Sequence, residues 1–140
     1  MVQRADLITK LTNQSDIFSD FLDDFSPHPI TGDIVRVRNE NSIRQSIKNL
    51  ILTNIGERFF NPNLGSSVYR MLFEPLDSTT LEDLNYHIKL TIDNNEPRAN
   101  LISVSVLPVT EDNAVSLNVV YSIINSQTPQ SLSVLIRRVH

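Results

Sequence analysis

The groups in this chain able to do chemistry are few: three histidines, sixteen acidic residues and no cysteine among 140 residues. A metal site needs imidazoles or carboxylates that converge, often three or four residues apart on one helix face. His28, His87 and His140 fall in an N-terminal arm, on a helical stretch and at the last position, and no two share that spacing. His87 therefore reads as a helix-surface residue. Glycoside hydrolysis needs an acid and a base or nucleophile across a sugar bond. The adjacent pairs Asp23-Asp24 and Glu111-Asp112 read instead as solvated arm and turn charges. Without cysteine there is no thiol nucleophile, thiolate metal site or disulfide framework. With three glycines in all, the chain holds no phosphate-cradling loop, dinucleotide fingerprint or Gly-x-Ser-x-Gly elbow. The sequence predicts no catalytic, metal or cofactor-binding residue and no enzymatic activity.

Two stretches remain conspicuous. Glu96-Pro97-Arg98 stands where a helical pattern must stop and an alternating one begins. Pro97 fixes its own φ and keeps Glu96 out of the helical region, so two opposite charges sit on a stiff corner. An arginine there can fork onto a partner's carboxylate or onto the open carbonyls of a helix end. Spacing alone favours the second, with Arg98 covering the last carbonyls of its own helix. The other stretch, Gly56-Glu57-Arg58-Phe59-Phe60-Asn61-Pro62-Asn63-Leu64-Gly65, is a loop in which Phe59 or Phe60 is expected to plug the core while the glycines permit turns.

The elements that position these groups follow from periodicity. Residues 1–38 read as an extended arm, because Phe18, Phe21, Leu22 and Phe25 lie among aspartates while Pro27, Pro29 and Gly32 interrupt any helix. Such an arm needs another surface to cover its aromatics. Residues 39–140 form the domain. Ile43, Ile47, Leu50 and Ile51 make an amphipathic stripe with Asn39 or Asn41 as cap and Gly56 beyond its end. A second, short helix is predicted from about Leu64 to Phe73, burying Val68, Met71 and Leu72. A third opens with the capping-box spacing of Thr79 and Glu82, carries Leu81, Leu84, Ile88 and Ile92 on one face, and ends before Pro97. The period then drops to two. Ile102, Val104 and Val106 form one strand, Val115 to Ile123 a second after a turn at Glu111-Asp112-Asn113, and Leu132, Val134 and Ile136 a third. Nothing follows that could pair with the last, so one sheet edge is expected to be bare. The fold class is α+β, with three helices on one face of a three- to four-stranded, mainly antiparallel sheet.

Composition narrows the function. A net charge of -4 argues against a nucleic-acid surface, which needs clustered Lys and Arg. The start lacks the apolar run of a signal peptide, and no stretch of about 18 apolar residues could span a bilayer. The chain reads as soluble.

The stretch SIRQSIKNLILTNIGERFFNPNLGSSVYRMLFEPLD, the NNEPR segment, and the LISVSVLPV and AVSLNVVYSI strands closely resemble the sheath-initiator or baseplate-wedge family of contractile phage tails, with relatives in contractile injection systems. The resemblance covers about residues 39 to 139, and the arm SDFLDDFSPHPITGDIVRV looks like the arms of tailed-phage members. It implies a structural virion subunit of the tail baseplate, made in the bacterial cytoplasm and present in six copies around the tube. Its implied partners are the tail sheath protein, other wedge subunits and tube-proximal hub proteins. It further implies that Glu96, Pro97 and Arg98 dock on the helical core bundle of the wedges. The C-terminal segment Ser131 to Val139 then offers a strand edge to the first sheath ring, with Leu132, Val134 and Ile136 supplying specificity. Alternative readings are the equivalent subunit of a bacterial secretion or toxin-delivery machine and, from another class, a muramidase.

Overall fold

The computed structural model describes residues 19–21, 24–33, 36–124 and 126–138; the candidates Phe18, Leu22, Asp23, Val139 and His140 lie outside them. The chain divides into two compact units, Met1–Ser42 and Ile43–His140.

In the first unit two short strands of the N-terminal arm pair with each other. β1 (Ser19–Phe21) runs antiparallel to β2 (Arg36–Arg38). The intervening turn is closed by His28 N donating to Asp33 O at 2.7 Å and Gly32 N donating to His28 O at 2.8 Å, with Gly32 at a φ of 68°. The Ser42 hydroxyl donates to the Asp20 carboxylate at 2.6 Å. Local main-chain pairing thus satisfies polar groups of these strands and their turn. Phe21 and Phe25 remain exposed.

Helix α1 spans Glu40–Leu52. Asn41 therefore lies within its first turn, and Asn39, at a φ of 49°, turns the chain into it. The predicted stripe of Ile43, Ile47, Leu50 and Ile51 is buried throughout. Each such side chain contributes about 1.5–3 kcal/mol by leaving water. Helix α2 is shorter than predicted, Val68–Met71. Its first residues are withheld because Ser66 bridges Asn54 in parallel strand fashion and Gly65 takes a φ of 124°. Val68, Met71 and Leu72 are nevertheless buried as expected. Helix α3 spans Ser78–Asn95 and is capped by Asp77, whose carboxylate accepts the Thr80 N–H at 2.8 Å. The Thr79/Glu82 capping box is not the one used. With Thr80 on the buried face beside Leu84, Ile88 and Ile92, the helix starts too early for Thr79 to be its cap, and Leu81 is left half-buried.

The main sheet is antiparallel in the order β3 (Ala99–Val109), β4 (Ala114–Ile123), β5 (Ser126–Arg137). A 3-10 turn at Thr110–Asp112 and left-handed Asn113 join β3 to β4, at the turn the sequence predicts. Val115, Leu117, Val119, Tyr121 and Ile123 of β4 and Leu132, Val134 and Ile136 of β5 are buried, and α3 packs against β3. The fold is thus α+β. One residue departs from the expected alternation: the pairing of β3 slips between Leu101 and Ser103. This bulge rotates Ile102 out to 56% exposure and makes Leu101, Val104 and Val106 the half-buried set.

Candidate interaction surfaces

The Glu-Pro-Arg corner is built by the end of α3. Glu96 closes the helix, its N–H donating to Ile92 O at 2.8 Å with φ -126° and ψ 78°, and Pro97 cannot continue the helix. The chain then turns directly into β3. This brings Arg98 back over Glu96: Nε donates to Oε1 at 2.6 Å and Nη2 to Oε2 at 2.7 Å, a two-pronged guanidinium–carboxylate pair. Ser46 of α1 also donates to the Glu96 carboxylate, tying the two helices together. Burial pushes this carboxyl up. The hydrogen bonds from Arg98 and Ser46, with the guanidinium charge, outweigh that and hold it below the ordinary carboxylate value. The expectation of two displayed charges fails for Glu96, which is only 2% exposed, since a carboxylate so close to its own arginine is covered by it. What reaches solvent is Pro97 and part of Arg98, whose side chain is 27% exposed.

The two sheet edges differ. Arg138 N donates to Asn113 O at 3.0 Å, and one step inward Ala114 faces Arg137. In an antiparallel ladder hydrogen-bonded pairs alternate with unbonded ones. Ile136, Val134 and Leu132 therefore turn their main-chain groups to β4, while Arg137, Leu135, Ser133 and Ser131 turn theirs away. The Ile124 N to Arg98 O bond at 3.1 Å gives the matching parity on β4, with even residues facing β3 and odd ones facing β5. From Ser131 to Arg137 the outer edge of β5 is thus an uninterrupted row of N–H and C=O groups. On β3 the same parity turns the main chain of Val104, Val106 and Pro108 outward. Pro108 has no N–H and the bulge at Ile102 breaks the row at its other end, two devices that blunt an edge.

The structure places the sequence-selected Leu132, Val134 and Ile136 with their side chains inside the chain's own core. Within the segment Ser131 to Val139, the residues whose main chain forms the open edge are Ser131, Ser133, Leu135 and Arg137, which sequence reasoning did not single out. No residue type signals them, because which neighbour a strand pairs with sets the direction of its N–H groups. Phe59 or Phe60 is expected to plug the core, yet both are exposed, at 98% and 105%. Among the described residues no three His, Asp or Glu side chains gather as a metal site, and no helix is long and apolar enough to cross a membrane.

Among the described residues this small α+β domain leaves the outer edge of β5 unpaired and closes its charged corner on itself, and solved structures from baseplates of contractile machines share the fold. A subunit of the anti-feeding prophage baseplate superposes with a TM-score of 0.62 at 19% identity, over 88% of this chain and 87% of that one. One from the type VI secretion system baseplate complex does so at 0.62 and 13% identity, over 71% and 93%. At those identities the likeness is of fold. A Geobacter sulfurreducens protein named as a tail lysozyme aligns at 0.67 and 25% identity, over 72% and 92%. In sequence, residues 37–128 match the family model described as baseplate wedge protein gp25. The Baseplate wedge protein gp25 of Enterobacteria phage T4 is 30% identical over 94 residues, covering 67% of this chain and 71% of its own. The chain belongs to the baseplate wedge protein gp25 family. It is a baseplate subunit of a phage tail or related contractile particle and associates with other baseplate subunits.

Proposed function

We propose that this subunit initiates the sheath: six copies around the tube dock on the wedge core bundle through Glu96, Pro97 and Arg98 and present β5 as a template strand to the first ring of sheath subunits. The observation that carries this reading is the contrast between the two edges. An incoming strand gains main-chain hydrogen bonds wherever a row of outward N–H and C=O groups is complete. β5 has such a row and β3 does not. An open edge of this length is otherwise an aggregation hazard, so a resident partner relieves it. Because Leu132, Val134 and Ile136 act as the floor that holds β5 flat, specificity comes from the outward side chains of Ser131, Ser133, Leu135 and Arg137, a small-polar run ending in a leucine and a cation. At the corner the Glu96 carboxylate holds Arg98 in one orientation, so the exposed part of the Arg98 side chain and the Pro97 ring meet the wedge preorganised.

The function is one of assembly without bond chemistry. Asp24, Asp77 and Glu96 all have carboxyls held below the ordinary value, by hydrogen bonds from Ser26 and Thr80 at the first two and from Arg98 and Ser46 at the third. None of these three therefore matches a glycosidase acid, which needs the opposite shift. The test is sheath growth on purified baseplates carrying β5 variants. Sheaths that start normally on an edge blocked at Ser133 would refute templating. Purified protein that cleaves peptidoglycan at acidic or neutral pH would refute the non-enzymatic reading. Capsid and terminase genes beside the coding sequence would assign the particle to a phage rather than a secretion machine.

A further inference from the structure

The loop between α1 and α2 holds its shape without its largest side chains. Its base is locked: Ser66 N donates to Thr53 O at 2.8 Å, Ile55 N to Ser66 O at 3.2 Å, and the Ser66 hydroxyl to Ile51 O at 2.6 Å. Gly65 lies so close that a Cβ there would stand 2.5 Å from Thr53 O. The tip is braced by Gly56 N to Pro62 O at 2.8 Å, Asn61 N to Arg58 O at 3.2 Å and the Glu57 carboxylate accepting Asn54 N at 2.9 Å. Every one of these bonds uses main chain, a serine hydroxyl or Glu57. Phe59 and Phe60 take no part, and both stand fully in solvent. Two adjacent phenylalanines on a self-supporting loop expose apolar surface that the chain's own fold leaves uncovered.

We infer that Arg58, Phe59 and Phe60 form a preformed plug for an apolar pocket, rimmed by carboxylates, on a neighbouring baseplate subunit of a different kind. Charge decides the rim. The Glu57 carboxylate is held on the Asn54 amide at the base of the loop, while among the described residues the Arg58 guanidinium has no partner, so Arg58 is the charge left for a partner at the tip of a chain of net charge -4. Arginine beside aromatics is the composition of interface anchors, and a rigid loop loses little freedom on docking. A protein pocket suits the tip better than an anionic bilayer, because Asn61, Pro62 and Asn63 follow the aromatics directly and the chain's net charge repels such a surface. This contact is separate from both the Glu-Pro-Arg corner and the β5 edge.

The test uses the full chain in assembled baseplates. A photoreactive benzoyl-phenylalanine replacing Phe60 is expected to cross-link to one peptide of a different baseplate subunit containing apolar residues and at least one Asp or Glu. In particles assembled from equal amounts of wild-type chain and an F59S/F60S variant, the variant is expected about 30-fold under-represented, the loss typical of an anchor residue. Its melting temperature should match that of wild type, as the two rings brace nothing within the chain. Cross-linking to a second copy of this chain overturns the proposal, as does cross-linking to no subunit. So do equal incorporation, a lowered melting temperature, or binding of wild-type but not F59S/F60S protein to phosphatidylglycerol vesicles.

Discussion

Proline at position 133 separates the outer edge of β5 from the fold beneath it. The Ser133 N–H points away from β4, so Ser133→Pro removes no ladder bond; its cost is the tighter φ and a 3.4 Å hydroxyl contact with Asn118, on the order of 1 kcal/mol. Val134, one residue on, bonds to Leu117 and is buried. Val134→Pro strips a ladder donor, orphans a buried carbonyl and opens the core, for about 2–4 kcal/mol out of a domain stability of roughly 5–15 kcal/mol. For an incoming strand the order reverses. Proline at 133 deletes a donor from the middle of the row and puts its ring where the new strand must lie. That loses two or three main-chain bonds, about 2–3 kcal/mol and so roughly 30- to 150-fold in affinity at each template strand. The assay pairs a circular-dichroism melt with electron-microscopic counting of sheathed tubes after sheath protein is added to purified baseplates. Ser133→Pro should melt near wild type and start few sheaths, and Val134→Pro should melt early. Wild-type sheath initiation on Ser133→Pro baseplates would show that the β5 edge is not the template.

Other outcomes follow from the corner and the loop. Arg98→Ala strands a buried carboxylate and should lower stability by about 2–4 kcal/mol, reduced from a fully buried pair by the arginine's partial exposure; adding Glu96→Gln should recover part of it, and an unchanged melt for the single variant would contradict the pairing. Docking is therefore best measured on that double variant, where loss of incorporation is no longer confounded with loss of fold. Because the folded-state Glu96 carboxyl lies below its ordinary value of 4.5, its contribution is fully present above that pH and is lost as pH falls through the lower folded value. Acid titration of Glu96→Gln should accordingly show a shallower acid limb than wild type. Gly65→Ala meets both a φ of 124° and a carbonyl at 2.5 Å and should cost at least about 2 kcal/mol, more than Gly32→Ala, where φ is 68° and no atom lies within 4 Å; equal melts for the two would refute the tight closure of the loop.

Periodicity alone located α1, α3 and the three strands of the main sheet, because a buried stripe at 3.6 or 2 residues has few other ways to leave water. Ile43, Ile47, Leu50 and Ile51 and the alternating residues of β4 needed no tertiary information. The end of α3 at Pro97 and the turn before Asn113 were equally legible, being local consequences of proline and of residues that accept left-handed backbone. Long-range contacts decided the rest. The parallel bridge from Asn54 to Ser66 shortened α2, and the slip after Leu101 turned Ile102 outward. The register of β5 on β4 determined that Ser131, Ser133, Leu135 and Arg137, rather than the buried valine and its aliphatic neighbours, carry the open main chain. The triplet at 96–98 stood out in the sequence. That its arginine closes on its own glutamate required the chain to fold back at Pro97, and that Phe59 and Phe60 stand in water required a loop braced by main-chain bonds. Sequence states which groups must be covered; only the assembled register and loop closure state which are left uncovered.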